Sequence, residues 1–315
     1  MLIKTTSQFP YALIIHGGAG GRSWVPPKGT VPGADERPQL ICEGLIAAYQ
    51  AGEAVLAAGG SALDAVCAAV CSLEDTPVFN AGRGAGLTHA GEVEHDAAVM
   101  TGAGQGGAVA VSRHVRHPVL YARKVMEESP SVLLADPPDS YAENWGLELV
   151  PNEWFITDYT RAYLSAIQQG NAEKPKHGTV GAVALDASGQ LAAATSTGGF
   201  GGKPVARVGD TPILGAGTWA ENGVVAVSGT GHGEAFIQGA VAHDIAARIK
   251  YLGTPLPEAV ETTMSVEIGG RDSLGGIIAL GPDGNGAIVW NSDLCLCAWR
   301  DGDEIKTMWP EDPAL

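Results

Sequence analysis

A threonine that directly follows a glycine, Thr179 after Gly178, has the sequence context of a nucleophile. It lies between a polar segment, "QQGNAEKPKHG" at 168–178, and an apolar, β-prone run, "TVGAVALD" at 179–186. A threonine hydroxyl is a poor nucleophile unless a base lies beside it. If the chain is cut before Thr179, the new α-amino group, with an ordinary pKa of about 7.7–8.0, supplies that base on the same residue. The sequence therefore predicts cleavage at Gly178-Thr179, by attack of the hydroxyl on the glycine carbonyl.

A second stretch, "ARVGD", carries two opposite charges, Arg207 and Asp210, around Gly209. A guanidinium binds a carboxylate through two parallel N–H groups, and a carboxylate binds an ammonium group. The pair matches both ends of a free α-amino acid. If it holds the two α-groups of a substrate, the carbonyl that reaches Thr179 belongs to the substrate's side chain.

Two further stretches combine threonine with glycine. "ATSTGGFGGK" contains Thr197, and "VSGTGHGEA" contains Thr230 and leads into a predicted helix at Glu234. Backbone N–H groups at the start of a helix can bind an oxyanion, so Gly231 and Gly233 are candidates for that role. His232 beside Thr230 raises the alternative of a Thr/His dyad, which we disfavour relative to Thr179.

The elements that must position these residues are strands joined as hairpins and separate groups of helices. "TVGAVALD" and "QLAAATST" are joined by Ala187-Ser188-Gly189, which predicts a hairpin. "EVEHDAAVM" (92–100) and "GGAVAVS" (106–112) predict two neighbouring strands, and helices are expected at about 38–58, from Ser61, and at about 234–251 and 256–266. We expect "YALII" (11–15) to be a strand that ends in a glycine-rich turn, His16–Gly20. Hairpins with segregated helices favour an α+β fold in one domain.

The composition and net charge limit the classes of molecule that the protein is expected to bind. The chain has 315 residues, 45% of them hydrophobic, and a formal net charge of −16. A field of that sign repels phosphate backbones, so neither nucleic acid nor an anionic membrane is an expected partner. The N-terminal apolar run is too short for a secretion signal or a membrane span, and we expect a cytoplasmic protein.

Five cysteines occur without a C-x-x-C pair; Cys67 and Cys71, one helical turn apart, are expected to pack in the core.

Taken in order, these motifs resemble the plant-type asparaginase and isoaspartyl peptidase family of N-terminal-nucleophile hydrolases. The resemblance covers nearly the whole chain, and the motifs that carry it are "IIHGGAG", "ALDAVCAAVCSLED", "FNAGRGAG", "EHDAAVM", "HGTVGAVALDASGQLAAATSTGG", "RVGD" and "GTGHGE". It implies a four-layer αββα sandwich, cleavage into 1–178 and 179–315, and a dimer of the resulting heterodimers.

The resemblance also implies roles for individual residues. Thr179 would be the nucleophile, with Thr197 and Thr230 hydrogen-bonded around it. Arg207 would hold the substrate carboxylate and Asp210 its ammonium group. The remaining implied contacts come from Gly231 N–H and the Asn80 region at the oxyanion, and from the backbone of Gly233.

The segment 73–83 resembles the sodium-binding loop of that family. The implied ligands are backbone carbonyl oxygens, those of Leu73, Glu74, Thr76, Phe79, Ala81 and Arg83. Oxygen-only ligation suits a hard cation in a structural role, and no cofactor is expected for catalysis. In "EHD" (94–96), by contrast, Glu94 and Asp96 face one side of a strand and His95 the other, which disfavours a zinc site.

The expected substrates are L-asparagine and β-aspartyl dipeptides. His232 lies where it could contact the leaving group. Its imidazole could attract the free carboxylate of a dipeptide's leaving group but not ammonia, so we expect better cleavage of the dipeptides than of asparagine. Two alternatives remain open: glycosylasparaginase activity on the same fold, and an uncleaved binding protein without catalytic activity.

Overall fold

Two β-sheets and a set of helices make up the computed structural model of the chain, which describes residues 1–20, 36–170 and 178–309. The fold combines helices with two sheets, in agreement with the α+β class that the hairpin pattern predicts. Most of the predicted polar tether, 171–177, lies outside the described residues.

The larger sheet has eight strands and contains the predicted hairpin that begins after Thr179. Neighbouring strands are antiparallel except the last two, β4 and β5. The strands, in spatial order, are β13 (Glu304–Met308), β12 (Leu294–Asp301), β2 (Ala12–Gly20), β6 (Val180–Leu185), β7 (Leu191–Thr197), β3 (His95–Thr101), β4 (Gly106–Ser112) and β5 (Leu133–Ala135). Every residue of β6 and β7 is buried, because both faces of these central strands are covered.

The smaller sheet has five strands and is antiparallel throughout. Its strands, in spatial order, are β1 (Leu2–Thr6), β11 (Asn285–Trp290), β10 (Gly275–Leu280), β9 (Val225–Gly231) and β8 (Thr218–Glu221). It packs against the larger sheet, with β9 and β10 in contact with β2, β6 and β7.

The helices divide between the two sheets. They are α1 (Arg37–Ala57), α2 (Ala62–Asp75), α3 (Pro118–Glu128), α4 (Asp139–Asn144), α5 (Asp158–Gln168), α6 (Gly233–Gly239), α7 (Val241–Leu252) and α8 (Leu256–Thr263). Helix α2 packs on β6 and β7, and α1 packs on α2; on the smaller sheet, α7 contacts β8 and β9 while α8 contacts β11. Ser61 caps α2 by accepting a hydrogen bond from the N–H of Asp64, so this helix begins where the sequence predicts.

Two predicted boundaries are wrong. The His16–Gly20 segment is not a turn but the second half of β2, where it pairs with β12 across a bulge at Leu296/Cys297. Glycines weaken strands in general, but here they let other groups come close: a β-carbon on Gly17 would lie 2.6 Å from the ring of Phe79. The helix predicted over 234–251 is broken at Ala240, which has a φ of 44°.

One helix among the described residues, Arg37–Ala57, is long and apolar enough by length and composition to cross a membrane. Core helices of many proteins pass the same test. Its apolar side chains Ile41, Leu45 and Ala48 are buried, and the helix packs against α2 and β2. We therefore assign it to the core.

The packing of α3 on β4 gives a test of the fold. A β-carbon on Gly107 would collide with the backbone of Ala122 and Met126 in α3. Because backbone atoms cannot give way as a flexible side chain can, Gly107→Ala should destabilise the protein by about 1–3 kcal/mol. Urea unfolding followed by circular dichroism measures this, with Thr179→Ala as the common background so that both variants stay single chains.

Gly270→Ala is the matched control, since a β-carbon there has no neighbour closer than Ser265 O at 3.9 Å and Gly270 is exposed. Its unfolding free energy should change by less than about 0.5 kcal/mol. Equal unfolding midpoints for the two alanine variants would contradict the described contact between α3 and β4.

Candidate active site

The hairpin register brings Thr179 and Thr197 together. Val180 pairs with Ser196, so the residue before the first strand lies beside the last residue of the second. Thr179 Oγ1 donates to Thr197 Oγ1 at 3.3 Å, and both side chains are buried. Thr197 Oγ1 in turn donates to the carbonyl oxygen of Gly178 at 3.0 Å and accepts the N–H of Gly199 at 2.9 Å. The predicted nucleophile is thus hydrogen-bonded to a hydroxyl that also binds the carbonyl of the predicted cleavage site.

A second donor to that carbonyl is the side-chain amide of Asn80. Its Nδ2 donates to both Gly178 O and Gly199 O, and its Oδ1 accepts the N–H of Gly86 at 2.6 Å. All the polar atoms of this amide are used, which fixes its orientation. The Gly178 carbonyl is therefore held by two donors from separate parts of the chain, Asn80 and Thr197.

The guanidinium of Arg207 lies close to the same group of glycines. A β-carbon on Gly199, Gly209 or Gly233 would come within 3.4 Å of an Arg207 nitrogen. Arg207 also lies over the ring of Phe200, 4.9 Å from its centroid, and forms an ion pair of 3.0 Å with Glu234. Asn80 binds the carbonyl of Gly199, and Arg207 lies beside the same glycine, so one side of the predicted substrate clamp is near the Gly178 carbonyl.

Asp210 is buried with an unsatisfied carboxylate oxygen, Oδ2. Burial raises the pKa of this carboxyl to about 7, although the nearby Arg207 lowers it. A buried acceptor without a partner is costly, and a cationic donor in the site would satisfy it. The observation fits the ammonium group that the sequence analysis assigned to Asp210.

Two carboxylates, whose sequence context raised only the question of a zinc site, hold the turn between Arg207 and Asp210. Asp96 Oδ2 accepts the N–H of Gly209 at 2.8 Å, and Glu94 Oε2 accepts the N–H of Ala206 at 2.8 Å. Both side chains point toward the 206–209 turn, as expected for alternate residues of an extended segment. The Nζ of Lys203, also buried, donates to the carbonyl of Glu94 at 2.7 Å. The alternation in "EHD" indicates that Glu94 and Asp96 face the same side of the chain. It does not indicate that they bind the backbone of the distant 206–209 turn.

A buried histidine, also missed as a site residue, lies behind the nucleophile. His16 Nε2 is 2.9 Å from Ser228 Oγ, which is 2.7 Å from Thr195 Oγ1. Burial lowers the pKa of His16 to about 3, so the ring is neutral. These polar groups connect β2 and β7 of the larger sheet with β9 of the smaller one, on the face of β7 that also carries Thr197.

The remaining predicted residues lie at the end of β9 and the start of α6. Thr230 is buried, and its Oγ1 accepts the N–H of Ala19 at 3.3 Å. Gly231 has a φ of 151° and no room for a side chain, because a β-carbon would lie 2.6 Å from Leu274 O. A β-carbon on Gly233 would meet Asp210 Oδ1 at 2.9 Å, which places Gly233 against the clamp. His232 accepts the N–H of Leu274 through Nδ1 at 3.4 Å.

The predicted sodium loop folds into a tight turn after α2. The backbone carbonyls of Leu73, Glu74 and Thr76 each accept one backbone N–H bond, from Thr76, Arg83 and Phe79 respectively. A carbonyl oxygen has a second lone pair, so these bonds are compatible with ligation of a cation. The other implied ligands, the carbonyls of Phe79, Ala81 and Arg83, follow in the same loop.

A carbonyl held by two donors next to a hydroxyl is the arrangement that hydrolases use to cleave amides. Comparisons with known proteins agree with that class. A sequence model of the asparaginase family matches residues 9–309. An isoaspartyl peptidase of Escherichia coli (strain K12) is 43% identical over 308 residues, which cover 94% of each chain.

Two mammalian proteins named isoaspartyl peptidase/L-asparaginase give similar matches. The one from Mus musculus is 38% identical over 297 residues, covering 92% of this chain and 88% of its own. The one from Homo sapiens is 36% identical over 319 residues, covering 96% and 97%. The chain belongs to the asparaginase family, and it is an enzyme. The resemblance seen in the sequence motifs is confirmed.

The raised pKa of Asp210 predicts a pH-dependent stability. Between its unfolded pKa, near 3.8, and its folded pKa, about 7, the folded state retains a proton that the unfolded state has lost. The free energy of unfolding therefore falls as pH rises through this window. Asp210→Asn removes the effect, so the variant should gain about 2–3 kcal/mol relative to its Asp210 parent between pH 5 and pH 8.

The measurement is urea unfolding of Thr179→Ala and Thr179→Ala/Asp210→Asn at the two pH values. A stability difference between the two proteins that does not change with pH would show that Asp210 is not held in the protonated form by its burial.

Proposed function

We propose that the protein is a threonine-nucleophile amidohydrolase that cleaves itself at Gly178-Thr179 and then hydrolyses the β-amide of L-asparagine and β-aspartyl dipeptides. The observation that carries the proposal is the double hydrogen bond to Gly178 O from Asn80 and Thr197. The names of the relatives, isoaspartyl peptidase and L-asparaginase, support the substrate class.

The hydrogen bonds suggest a proton path for self-cleavage. In the intact chain the nitrogen of Thr179 is an amide, so it cannot act as a base. The Thr179 hydroxyl instead donates to Thr197, whose own hydroxyl donates to Gly178 O. As Thr179 Oγ1 bonds to the carbonyl carbon, its proton passes to Thr197 and the Thr197 proton passes to the carbonyl oxygen. The result is a neutral tetrahedral intermediate, without a free oxyanion.

The intermediate then collapses to an ester. The carbonyl re-forms, the bond between Gly178 C and Thr179 N breaks, and the hydroxyl proton of the intermediate goes to the leaving nitrogen. Water hydrolyses the ester between Gly178 and the Thr179 hydroxyl. A free α-amino group and a free hydroxyl remain on Thr179, and from then on the amine is the base for each turnover.

Substrate turnover uses the same atoms. Arg207 would bind the α-carboxylate and Asp210 the α-ammonium group, so that the side-chain carbonyl faces Thr179. Thr230, Gly231 and Gly233 would complete the site around the acyl group. The acyl-enzyme forms with release of ammonia or an amino acid, and water, activated by the Thr179 amine, releases aspartate.

In the intact chain the guanidinium of Arg207 is paired with a carboxylate of the same chain, that of Glu234. Glu234 Oε1 lies 3.0 Å from Nη2 and 3.2 Å from Nε of Arg207, and its side chain is 60% exposed. An exposed ion pair of this kind contributes little stability. A substrate carboxylate would displace Glu234, which then turns to solvent.

Several further properties belong to this proposal. The two sheets and their helices would be arranged as a four-layer αββα sandwich, cleaved into 1–178 and 179–315, and two such pairs would associate. The carbonyls of the 73–83 loop would hold a structural sodium ion. The enzyme would act in the cytoplasm.

Self-cleavage is tested on denaturing gels and by intact mass. The wild type should give two polypeptides, 1–178 and 179–315, Thr179→Ala should remain one, and Thr179→Ser should still be cleaved. Thr197→Val removes one donor to the carbonyl and the proton path, so cleavage should slow by about 100- to 1,000-fold.

Thr195→Val is the matched control for Thr197→Val. It removes a buried hydroxyl from the same face of β7, but that hydroxyl bonds Ser228 and Thr218 and not Gly178. Cleavage of Thr195→Val should stay within a few-fold of wild type. Normal cleavage of Thr179→Ala would exclude Thr179 as the nucleophile, and a wild type that stays uncleaved would contradict self-cleavage.

The clamp is tested by kcat/KM for L-asparagine, β-Asp-Leu and glycosylasparagine. Loss of a charge-assisted, two-point contact in Arg207→Ala should lower kcat/KM by about 30- to 1,000-fold for all substrates. Glu234→Gln keeps the size of the side chain but removes the competing charge, so its KM should equal that of wild type or fall.

The substrate ranking distinguishes the two enzyme candidates. We expect β-Asp-Leu to exceed asparagine, and a preference for glycosylasparagine would support glycosylasparaginase activity instead. An Arg207→Ala enzyme with unchanged kcat/KM would overturn the clamp.

A further inference from the structure

Three side chains with metal-binding atoms converge behind the larger sheet, away from the clamp. Cys71 and Glu74 lie one turn apart on α2, and His117 directly precedes α3. The Cys71 sulfur, a Glu74 oxygen and a His117 nitrogen all lie within 4.8 Å of one another, and Glu74 Oε2 is 3.2 Å from His117 Nδ1. In a tetrahedral site with metal–ligand distances of about 2.0–2.3 Å, ligand atoms lie roughly 3.3–3.8 Å apart. Small side-chain movements would complete such a site.

The neighbouring groups orient these atoms as ligands. Glu74 Oε1 accepts the N–H of Val119 at 3.0 Å and the hydroxyl of Ser196 at 2.6 Å, which leaves Oε2 directed at His117. On the other side of the ring, His117 Nε2 lies 3.7 Å from Asp75 Oδ2. Histidines that bind metal through one nitrogen typically donate the other N–H to a carboxylate, and ligating carboxylates are themselves hydrogen-bonded.

The site lies at the edge of the core, with Glu74 fully buried and its neighbours partly exposed. Cys71 is partly buried, the His117 side chain is 18% exposed, and Asp75 lies at the surface with 41% of its side chain exposed. The sequence predicts that Cys67 and Cys71 pack in the core; the structure buries Cys67 and packs the partly buried Cys71 against the same core.

We propose that Cys71, Glu74 and His117 form a binding site for a divalent transition-metal ion of the Zn²⁺ class, with water as the fourth ligand. A thiolate and an imidazole select such borderline-soft ions over sodium, magnesium and calcium, which prefer oxygen alone. The site differs from the proposed sodium loop, because it uses the carboxylate of Glu74 and not its backbone carbonyl.

The ion has a structural role and not a catalytic one. Ser196, which binds Glu74, and Thr197, which binds Thr179, are consecutive residues of β7 and point to opposite faces of the sheet. The metal site and the nucleophile are therefore separated by the sheet. The oxygen of Glu74 that binds Ser196 is Oε1, whereas the proposed ligand atom is Oε2, so the contact with Ser196 needs no ion and the two proposals can fail independently.

The competing explanation is a hydrogen-bonded cluster that binds no metal. His117→Asn separates the two explanations. Asparagine is a good residue before a helix, and its amide can still donate to Glu74, so the fold should be retained. It cannot supply the imidazole nitrogen that binds zinc well. Circular dichroism and the melting temperature of the metal-free variant check that it folds like the wild type.

The experiment uses the full-length protein after removal of metal with a chelator and exchange into metal-free buffer. Co²⁺ titration followed by absorption reports a thiolate ligand through its sulfur-to-metal charge-transfer band. Competition with a chelating dye gives the Zn²⁺ affinity of the wild type and of Cys71→Ser, His117→Asn and Asp75→Asn. Cys42→Ser is the matched control, since Cys42 is also partly buried but lies near Thr307.

We expect a charge-transfer band in the wild type and in Cys42→Ser that is absent from Cys71→Ser. Loss of the partner carboxylate in Asp75→Asn should weaken Zn²⁺ binding by about 10- to 100-fold, and loss of a ligand in Cys71→Ser or His117→Asn should weaken it more. A wild type without the band, or a Zn²⁺ affinity that is equal in wild type, Cys71→Ser and a folded His117→Asn, would overturn the proposal.

Discussion

The site depends on how one peptide carbonyl, that of Gly178, is held. A buried backbone carbonyl needs a donor, and in a sheet that donor is usually the neighbouring strand. The ladder between β6 and β7 begins only at Val180, opposite Ser196. Gly178 therefore lies just beyond it, and side chains, those of Asn80 and Thr197, bind its oxygen. These side-chain donors polarise the Gly178 carbonyl next to the hydroxyl of Thr179. With a hydrogen bond from the neighbouring strand instead, Gly178 would be an ordinary strand residue.

The two donors come from different elements, and Glu74 connects those elements. Its backbone carbonyl accepts the N–H of Arg83 at 2.7 Å, which closes the loop that carries Asn80. Its carboxylate accepts the hydroxyl of Ser196, the neighbour of Thr197, at 2.6 Å. Burial raises the pKa of this carboxyl, although hydrogen bonds from His117, Ser196 and Val119 act in the opposite direction. One fully buried acid thus fixes the loop and the strand relative to each other, and with them the geometry around Gly178.

Sequence patterns predicted the local elements well and the long-range contacts less well. The β6–β7 hairpin, the neighbouring strands β3 and β4, and the start of α2 after Ser61 follow from turn residues and periodicity, which act over a few residues. The predictions were wrong where tertiary contacts override local preference. The glycines after His16 continue a strand, and the ring of Phe79 packs against Gly17 where a side chain would otherwise lie. Motifs singled out Thr179, Arg207 and Asp210, whose roles stay predictions. They could not show that Glu94 and Asp96 hold the clamp turn, since that contact joins segments more than a hundred residues apart.

The charges around Arg207 and Asp210 support the proposal of a zwitterionic substrate. Arg207 is already paired with Glu234, whereas Asp210 is buried with an oxygen that has no partner, and Asp96 nearby raises the pKa of Asp210 further. A ligand that brought only a carboxylate would replace Glu234 and leave Asp210 unsatisfied. A ligand that brought only an ammonium group would satisfy Asp210 but leave Arg207 with Glu234. An α-amino acid does both at once and adds no net charge to a buried region, so the electrostatic cost of binding it is smaller than that of either half alone.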